Sequence, residues 1–285
     1  MRVKRAVSRH LRDCLRHPGR GRVADLGPDT TPDRLAERVL CGDMRAASRL
    51  ITLIEADDEV GARAIQRLSS ATGRARVLRA RVLGVTGPPG VGKSTLVRGL
   101  IAAYRKRALG VGVLAVDPSS PFSRGALLGD RVRMGNHGLD RRVFIRSMAS
   151  RGNLGGIATA TPAAIRVLDA MGFNRVIVET VGVGQSEVAV ASEADCTIVV
   201  LMPGAGDVIQ VMKAGVMEIG DVFVVNKADH PGASVTQHQI ESMLQLRSGT
   251  GHGPPVLMTR AEQGQGIEEV VEAAESCLKQ AHEGS

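Results

Sequence analysis

The chain has 285 residues and a formal net charge of +8, and 43% of its residues are hydrophobic. This length suits one large α/β domain with an appendage, and the hydrophobic share is enough for a sizeable core. Aromatic residues are scarce, with no Trp and a single Tyr, which argues against a nucleic-acid reader built on stacking platforms.

Almost all of the net charge lies in the first 22 residues, which carry eight basic side chains against Asp13 alone, a balance of +7. We predict a basic, flexible leader over residues 1–30. Its charge would suit contact with RNA, an anionic membrane surface or an acidic partner, and the alternative is a solvated terminus. An Arg-rich, acid-poor start also resembles an organelle transit peptide.

The four cysteines indicate neither a disulfide framework nor a zinc site, because Cys14, Cys41, Cys196 and Cys277 are far apart and form no C-x-x-C pair. The reducing cytosol therefore fits best, and we predict a cytoplasmic protein. No apolar run is long enough to span a bilayer, and no secretory apolar segment follows the basic start.

After the leader, the sequence predicts a small helical appendage over residues 31–80. Thr31-Pro32 has the pattern of an N-cap followed by Pro at the first helical position. Three helical patterns then follow, near residues 32–40, 43–55 and 58–72.

From Arg81 onward, short β-branched runs alternate with amphipathic helical stretches. This alternation predicts an α/β domain over residues 81–285, with a mainly parallel sheet flanked by helices. The strand patterns cover residues 81–86, 111–116, 142–146, 175–179, 196–201, 221–226 and 255–259, and the helical patterns include 95–107, 157–171 and 267–279.

The segment between the first strand and the next helix matches G-x-x-x-x-G-K-[ST] at every fixed position. In such a P-loop the glycines let the backbone curl so that N–H groups point at phosphate oxygens, and the helix start adds its positive end. Lys93 would reach the β- and γ-phosphates, and Ser94 would place its hydroxyl on Mg²⁺. The predicted P-loop NTPase site comprises Gly87, Pro88, Pro89, Gly90, Val91, Gly92, Lys93, Ser94 and Thr95.

The quartet Asn226-Lys227-Ala228-Asp229 follows a later strand pattern and predicts selectivity for guanine. The Asp229 carboxylate can accept two hydrogen bonds from guanine that adenine cannot supply, and mismatching a polar group of this kind costs several kcal/mol. Together with the P-loop, the quartet favours GTP over ATP.

Acidic residues at strand ends complete a predicted Mg²⁺ site. Asp117 ends the second strand pattern and Glu179 the fourth, where carboxylates can hold Mg²⁺ through water beside Ser94. Asp130, in the loop before the third strand, could orient water or the metal, and Arg131 could neutralise phosphate charge. The alternatives are exposed strand-end acids, and for Asp130 and Arg131 a surface salt bridge of little energetic weight. We assign Lys93, Asp117, Asp130 and Glu179 as catalytic and Ser94, Asp117, Asp130 and Glu179 as metal-binding.

The residue that follows the switch glycine Gly182 influences the predicted rate of GTP hydrolysis. Some GTPases place a water-orienting Gln there, but this chain has Val183, and Gln185 comes two residues later. We therefore predict slow intrinsic hydrolysis that a partner can accelerate.

These motifs together resemble the MeaB/MMAA (ArgK) family of P-loop GTPases, from about Val82 to Ile267. The run Glu179–Glu187 (ETVGVGQSE) is the most diagnostic. The other matching strings are Thr86–Thr95 (TGPPGVGKST), Asp117–Ser120 (DPSS), Leu128–Arg131 (LGDR), Arg151–Gly156 (RGNLGG), Pro203–Gln210 (PGAGDVIQ) and Asn226–Asp229 (NKAD).

The resemblance implies a G-protein chaperone for an adenosylcobalamin-dependent acyl-CoA mutase, with methylmalonyl-CoA mutase as the usual client. Such a chaperone uses GTP to gate cofactor loading and to protect the mutase. On that pattern residues 117–134 would be switch I and 179–185 switch II. Residues 204–213 would couple nucleotide to client, and the coupling residues would be Arg131, Gly182, Gln185, Asp207, Gln210 and Lys213.

The chain departs from the family pattern in the guanine-contacting loop and at its C-terminus. Arg260 stands where the family usually has Ser, although Ala261 can still offer its backbone N–H to the base. The resemblance implies a homodimer, but the sequence stops at Ser285 without the long helical arm that relatives use to dimerise. Two other functions stay open. A nickel-type metallochaperone GTPase is disfavoured by scattered His residues, and a P-loop kinase is disfavoured by the lack of a second substrate site.

Overall fold

The computed structural model describes residues 31–72, 80–117, 140–149, 160–180, 192–204, 216–248 and 253–283. The predicted leader over residues 1–30 therefore lies outside the described residues. Two compact units divide the chain: the first comprises residues up to Ala80 together with Thr159–Val176, and the second comprises Arg81–Ala158 and Ile177–Ser285.

The first unit is helical. It contains α1 (Pro32–Leu40), α2 (Met44–Glu55) and α3 (Glu59–Thr72), and a later helix, α5 (Thr161–Ala170), groups with them. Each of these four helices packs against the other three. The core of the unit holds fully buried aliphatic side chains, among them Leu35, Val39, Leu50, Ile51, Leu68 and Leu168.

Side-chain caps explain where the first two helices begin. Thr31 Oγ1 accepts a hydrogen bond from the Arg34 N–H at 3.4 Å, with Pro32 at the first helical position. The Asp43 carboxylate accepts from the Arg45 and Ala46 N–H groups and also binds the Arg38 guanidinium. Cys41, next to this cap, is disulfide-bonded, a bond that the spacing of the cysteines did not indicate.

The second unit is built on a seven-stranded parallel sheet with the order β3-β2-β4-β1-β5-β6-β7. The register pairs Val85 with Ile198 and Leu201 with Val225. This sheet confirms the predicted α/β fold. The strands are β1 (Arg81–Thr86), β2 (Val111–Asp117), β3 (Val143–Ala149), β4 (Arg175–Thr180), β5 (Cys196–Leu201), β6 (Val222–Val225) and β7 (Val256–Met258).

Alternate residues of the central strands enter two hydrophobic cores, because successive side chains of a strand point to opposite faces. On β5, Ile198 and Val200 join the core formed with α4 (Lys93–Lys106) and α7 (Ile267–Glu283). Val199 and Leu201 join the core formed with α6 (Ala233–Ser248). With both faces covered, β5 is an uninterrupted run of buried residues, typical of a strand inside a parallel sheet.

Helix α6 is the element that the sequence patterns did not indicate. Its buried stripe, Thr236, Ile240 and Leu244, includes a polar residue, and Val235 and Leu246 are 58% and 88% exposed. Because these apolar side chains lie on the exposed face, the sequence lacks the alternation of apolar and polar faces from which an amphipathic helix is predicted. Among the described helices, none has the length and apolar character needed to cross a bilayer.

Candidate functional site

The P-loop joins the end of β1 to the start of α4, and three of its glycines have positive φ angles: Gly87 at +138°, Gly90 at +80° and Gly92 at +97°. A Cβ at Gly87 would lie 2.0 Å from the Val200 carbonyl oxygen, so the loop touches the backbone of β5 there. A residue with a side chain would be both strained and obstructed at this position.

Lys93 holds its ammonium group inside the curl of this loop. Nζ donates to the carbonyl oxygens of Gly87 at 2.6 Å and Pro88 at 2.7 Å, and the residue is only 7% exposed. The ammonium is thus already positioned where the loop backbone would surround a phosphate. A phosphate bound in the loop would meet a positive charge with little water around it.

Ser94 and Glu179 come together beside this ammonium. Ser94 Oγ donates a short hydrogen bond to Glu179 Oε1, although the two residues are 85 positions apart. Glu179 is buried near the end of β4, the strand that lies between β1 and β2 in the sheet. Asp117 ends β2 at the same edge of the sheet. The hydroxyl of Ser94 and the carboxylate of Glu179 are hard oxygen ligands of the kind that Mg²⁺ prefers.

A cavity of about 320 Å³ lies over this edge, and its wall includes Gly92, Lys93, Ser94 and Glu179. Thr180, which ends β4, also lines the cavity and donates from Oγ1 to Thr86 Oγ1 at 3.1 Å. Both threonines are buried. Their bond ties the end of β4 to the start of the P-loop, a contact that the sequence patterns did not indicate.

Asn226 links the predicted base-reading quartet to the P-loop. Its Nδ2 donates to the Val91 carbonyl at 2.8 Å, and its Oδ1 accepts from Thr259 Oγ1 at 3.0 Å and from the Ala261 N–H at 3.1 Å. It is 3% exposed, and a Cβ on Gly92 would lie 2.3 Å from its Nδ2. Its amide therefore acts between protein segments and positions the base site.

The Ala261 N–H donates to Asn226 Oδ1 in this structure, and its contact with the base stays a prediction. Ala261 nevertheless lines a second cavity, of about 280 Å³, together with Asp229 and Arg260. Asp229 is exposed there, so its carboxylate can be reached by a ligand. Thr259, His230 and Gln263 also belong to the surroundings of this site, and the motifs named none of them.

Lys227 lines the second cavity and contacts the P-loop, which lines the first. Its φ of +56° is in the left-handed region, where a side chain is costly, and its Nζ donates to the Gly90 carbonyl at 2.9 Å. Gly92 and Thr95 line both cavities. One elongated ligand can therefore occupy both, with an anionic end at Lys93 and a polar ring at Asp229.

The other predicted site residues lie outside the described residues. They are Asp130, Arg131, Gly182, Gln185, Asp207, Gln210 and Lys213. Asp117 is described only as the last residue of β2. The structure brings together the other predicted residues around the two cavities: the P-loop residues Gly87, Pro88, Pro89, Gly90, Val91, Gly92, Lys93, Ser94 and Thr95, the strand-end Glu179, and Asn226, Lys227, Asp229, Arg260 and Ala261.

Comparison with known proteins indicates the family to which a chain with this site belongs. Residues 47–284 match the family model described as methylmalonyl-CoA mutase-associated GTPase MeaB. The chain is 51% identical over 242 residues to a predicted GTPase of Pyrococcus abyssi, an alignment that covers 84% of this chain and 73% of that protein.

Two further similarities extend over most of the chain. It is 34% identical to the mouse protein named methylmalonic aciduria type A homolog, mitochondrial, with 84% of this chain and 61% of that protein covered. The crystal structure of an LAO/AO transport system kinase superposes with a TM-score of 0.68 at 30% identity, covering 90% of this chain and 77% of that one.

Proposed function

Because this chain belongs to the MeaB family of methylmalonyl-CoA mutase-associated GTPases and is therefore a GTPase, we propose that it binds GTP with Mg²⁺ and acts as a chaperone of an adenosylcobalamin-dependent acyl-CoA mutase. In this role it gates cofactor loading and protects the mutase, with methylmalonyl-CoA mutase as the expected client. The observation that carries nucleotide binding is the 2.8 Å bond from Asn226 to Val91, which joins the base-reading segment to the phosphate loop.

The phosphates bind in the P-loop. The backbone N–H groups of the glycine-rich curl face the phosphate oxygens, and Lys93 transfers its hydrogen bonds from loop carbonyls to the β- and γ-phosphates. Because the ammonium is 7% exposed, its attraction for phosphate is weakly screened by water. This makes Lys93 the main positive charge that the described residues offer to the transferred group.

Mg²⁺ fits the oxygen donors of Ser94 and Glu179, with Asp117 at the neighbouring strand end. Mg²⁺ held by these residues would supply positive charge that stabilises the negative charge of the phosphates during hydrolysis. Ser94 would offer its hydroxyl to the metal, and Glu179 would then hold the metal through water instead of accepting from Ser94. Asp130, which lies outside the described residues, is the further metal-binding residue of this proposal.

The base is read at the second cavity. The exposed Asp229 carboxylate accepts two hydrogen bonds from guanine, and the stem of Lys227 and the side chain of Arg260 flank the ring. Ala261 contributes to the wall of the cavity, and its N–H, which donates to Asn226 in this structure, would be offered to the base. GTP is thus preferred over ATP by a carboxylate whose partners only guanine supplies.

Hydrolysis by the isolated protein is expected to be slow, because Val183 occupies the position after Gly182 where some GTPases place a water-orienting Gln. A steady-state GTP hydrolysis assay with the purified protein should give a kcat below about 1 s⁻¹, and addition of the client should raise it. A faster rate without any partner would contradict this part of the proposal.

The client is supported by the family match over residues 47–284 and by the similarity to the mouse protein named for methylmalonic aciduria. The test is a pull-down from native cell extract with the protein loaded with a non-hydrolysable GTP analogue or with GDP. The matched control is Asp229→Asn, which retains the fold but loses guanine recognition. Nucleotide-dependent capture of an adenosylcobalamin mutase by the wild type alone is the expected result.

Other outcomes would redirect the proposal. Capture of a nickel enzyme would favour the metallochaperone alternative. Transfer of label from γ-labelled GTP to an acceptor other than water would favour a kinase, the word used for the structural relative with a TM-score of 0.68. Capture of no mutase under either nucleotide would refute the chaperone role and leave the GTPase activity standing.

A further inference from the structure

Three potential metal ligands converge at the N-terminal ends of β5 and β6, at the opposite edge of the sheet from the P-loop. Cys196 begins β5, Asp221 directly precedes β6, and Cys277 lies on α7. Their ligand atoms, two thiol sulfurs and a carboxylate oxygen, all lie within 4.8 Å of one another. Because the three residues are distant in sequence, their spacing indicated no metal site.

The separation of these atoms is close to what a four-coordinate ion requires. Zinc–sulfur bonds of about 2.3 Å at tetrahedral angles place ligand atoms roughly 3.3 to 3.8 Å apart. The limit of 4.8 Å exceeds this by about 1 Å, so small side-chain rotations would complete the geometry. A soft or borderline divalent cation suits two thiolates, whereas Mg²⁺ prefers oxygen ligands alone.

The surroundings already orient the ligands. Asp221 Oδ2 accepts the Thr197 N–H at 2.8 Å, and the Asp221 N–H donates to the Thr197 carbonyl at 2.9 Å. The Cys277 thiol is 3.9 Å from the Asp195 carbonyl. The Thr197 N–H fixes the direction of the Asp221 carboxylate, and hydrogen bonds to a ligating carboxylate of this kind increase metal affinity. The Cys277 thiol gives up its contact with the Asp195 carbonyl when it loses its proton to bind a metal.

The three ligands differ in their exposure to solvent, and this difference leaves a path by which an ion can enter. Cys196 is fully buried, Cys277 is half-buried and Asp221 is exposed. A cation can approach through the Asp221 carboxylate and then reach the thiols.

We propose that Cys196, Asp221 and Cys277 bind one zinc-class divalent cation, with water in the fourth position. The site is separate from the nucleotide site, because Cys196 lies four residues before the β5 residue that touches the P-loop, a distance of about 13 Å along the strand. A bound ion joins the start of β5, the segment before β6 and the second half of α7.

The test is an anaerobic Co²⁺ titration of the full-length protein, saturated with GDP and Mg²⁺ and kept free of reductant so that the disulfide of Cys41 stays intact. Co²⁺ bound by thiolates absorbs in the near ultraviolet, a signal that the oxygen ligands of the P-loop site do not produce. We expect one equivalent to bind with this absorption and Zn²⁺ to displace it. Cys277→Ser should weaken binding by at least about tenfold and reduce the thiolate signal, and Asp221→Asn should weaken it by about tenfold.

Ser276→Ala, an exposed neighbour of Cys277 on the same helix, is the matched control and should bind Co²⁺ like the wild type. Circular dichroism establishes that each variant is folded. No thiolate absorption in the wild type, or the same titration for Cys277→Ser and Ser276→Ala, would overturn the proposal. If Cys277→Ser does not fold, unchanged Co²⁺ affinity of Asp221→Asn overturns it instead.

Discussion

The substitution Asn226→Ala tests whether Asn226 positions the base site, a role that differs from the reading of the base by Asp229. The Asn226 amide is 3% exposed and makes one hydrogen bond to Val91 and two from Thr259 and Ala261. In Asn226→Ala all three partners lose a buried hydrogen bond. The variant should therefore lose stability and nucleotide affinity together.

The size of the loss follows from the number of bonds. At about 1 kcal/mol for each buried hydrogen bond, the free energy of unfolding should fall by about 3 kcal/mol. For a protein of this size, that corresponds to a decrease in Tm of about 6 °C. Urea denaturation gives the free energy, and a fluorescent GTP analogue gives the Kd.

Asp229→Asn is the matched control, because Asp229 is exposed and belongs to the same loop. Its free energy of unfolding should stay within about 0.5 kcal/mol of the wild type. Its GTP affinity should fall while its residual ATP affinity changes little. Unchanged stability of Asn226→Ala would refute the positioning role, and unchanged GTP affinity of Asp229→Asn would refute base reading.

Three further substitutions test the rest of the chain. Lys93→Ala should abolish nucleotide binding, with a loss of at least about 100-fold in affinity for fluorescent GDP, because a desolvated charge-assisted contact is removed. Ser94→Ala should weaken GTP binding when Mg²⁺ is present and change it little in EDTA, and equal effects in both buffers would contradict a metal ligand. Although Asp221 is exposed as a residue, part of its carboxyl group is turned away from water, and this desolvation raises its pKa above the unfolded value despite the opposing Thr197 hydrogen bond. The wild type therefore loses stability as pH rises through the folded pKa. In chelator, Asp221→Asn should therefore have the higher Tm at pH 7, and the difference should vanish below about pH 4, the unfolded pKa of Asp.

The sequence predicted the parts of the site that depend on short spacing. The P-loop needs glycines, a lysine and a serine at fixed positions, and the strand before it was visible as a β-branched run. All seven strand patterns correspond to strands of the sheet, because strands buried on both faces read as continuous apolar runs.

The sequence could not predict contacts that depend on which strands are neighbours. The Asn226–Val91 bond and the Thr86–Thr180 bond both require the strand order, which no local pattern contains. For the same reason, the spacing of the cysteines in the sequence did not indicate that Cys196 and Cys277 lie close together. Helix α6 was missed because exposed apolar side chains obscure its buried stripe.

The contact between Gly87 and β5 has a consequence for synthesis of the chain. The P-loop sequence emerges from the ribosome early, but the strand that it touches is more than 100 residues later, and its bond to Asn226 spans 135 positions. Pairings between such distant segments form late in folding. A nascent chain that ends before residue 226 would carry the motif without a working nucleotide site. GTP can therefore stabilise the finished domain, but it cannot guide the early steps of folding.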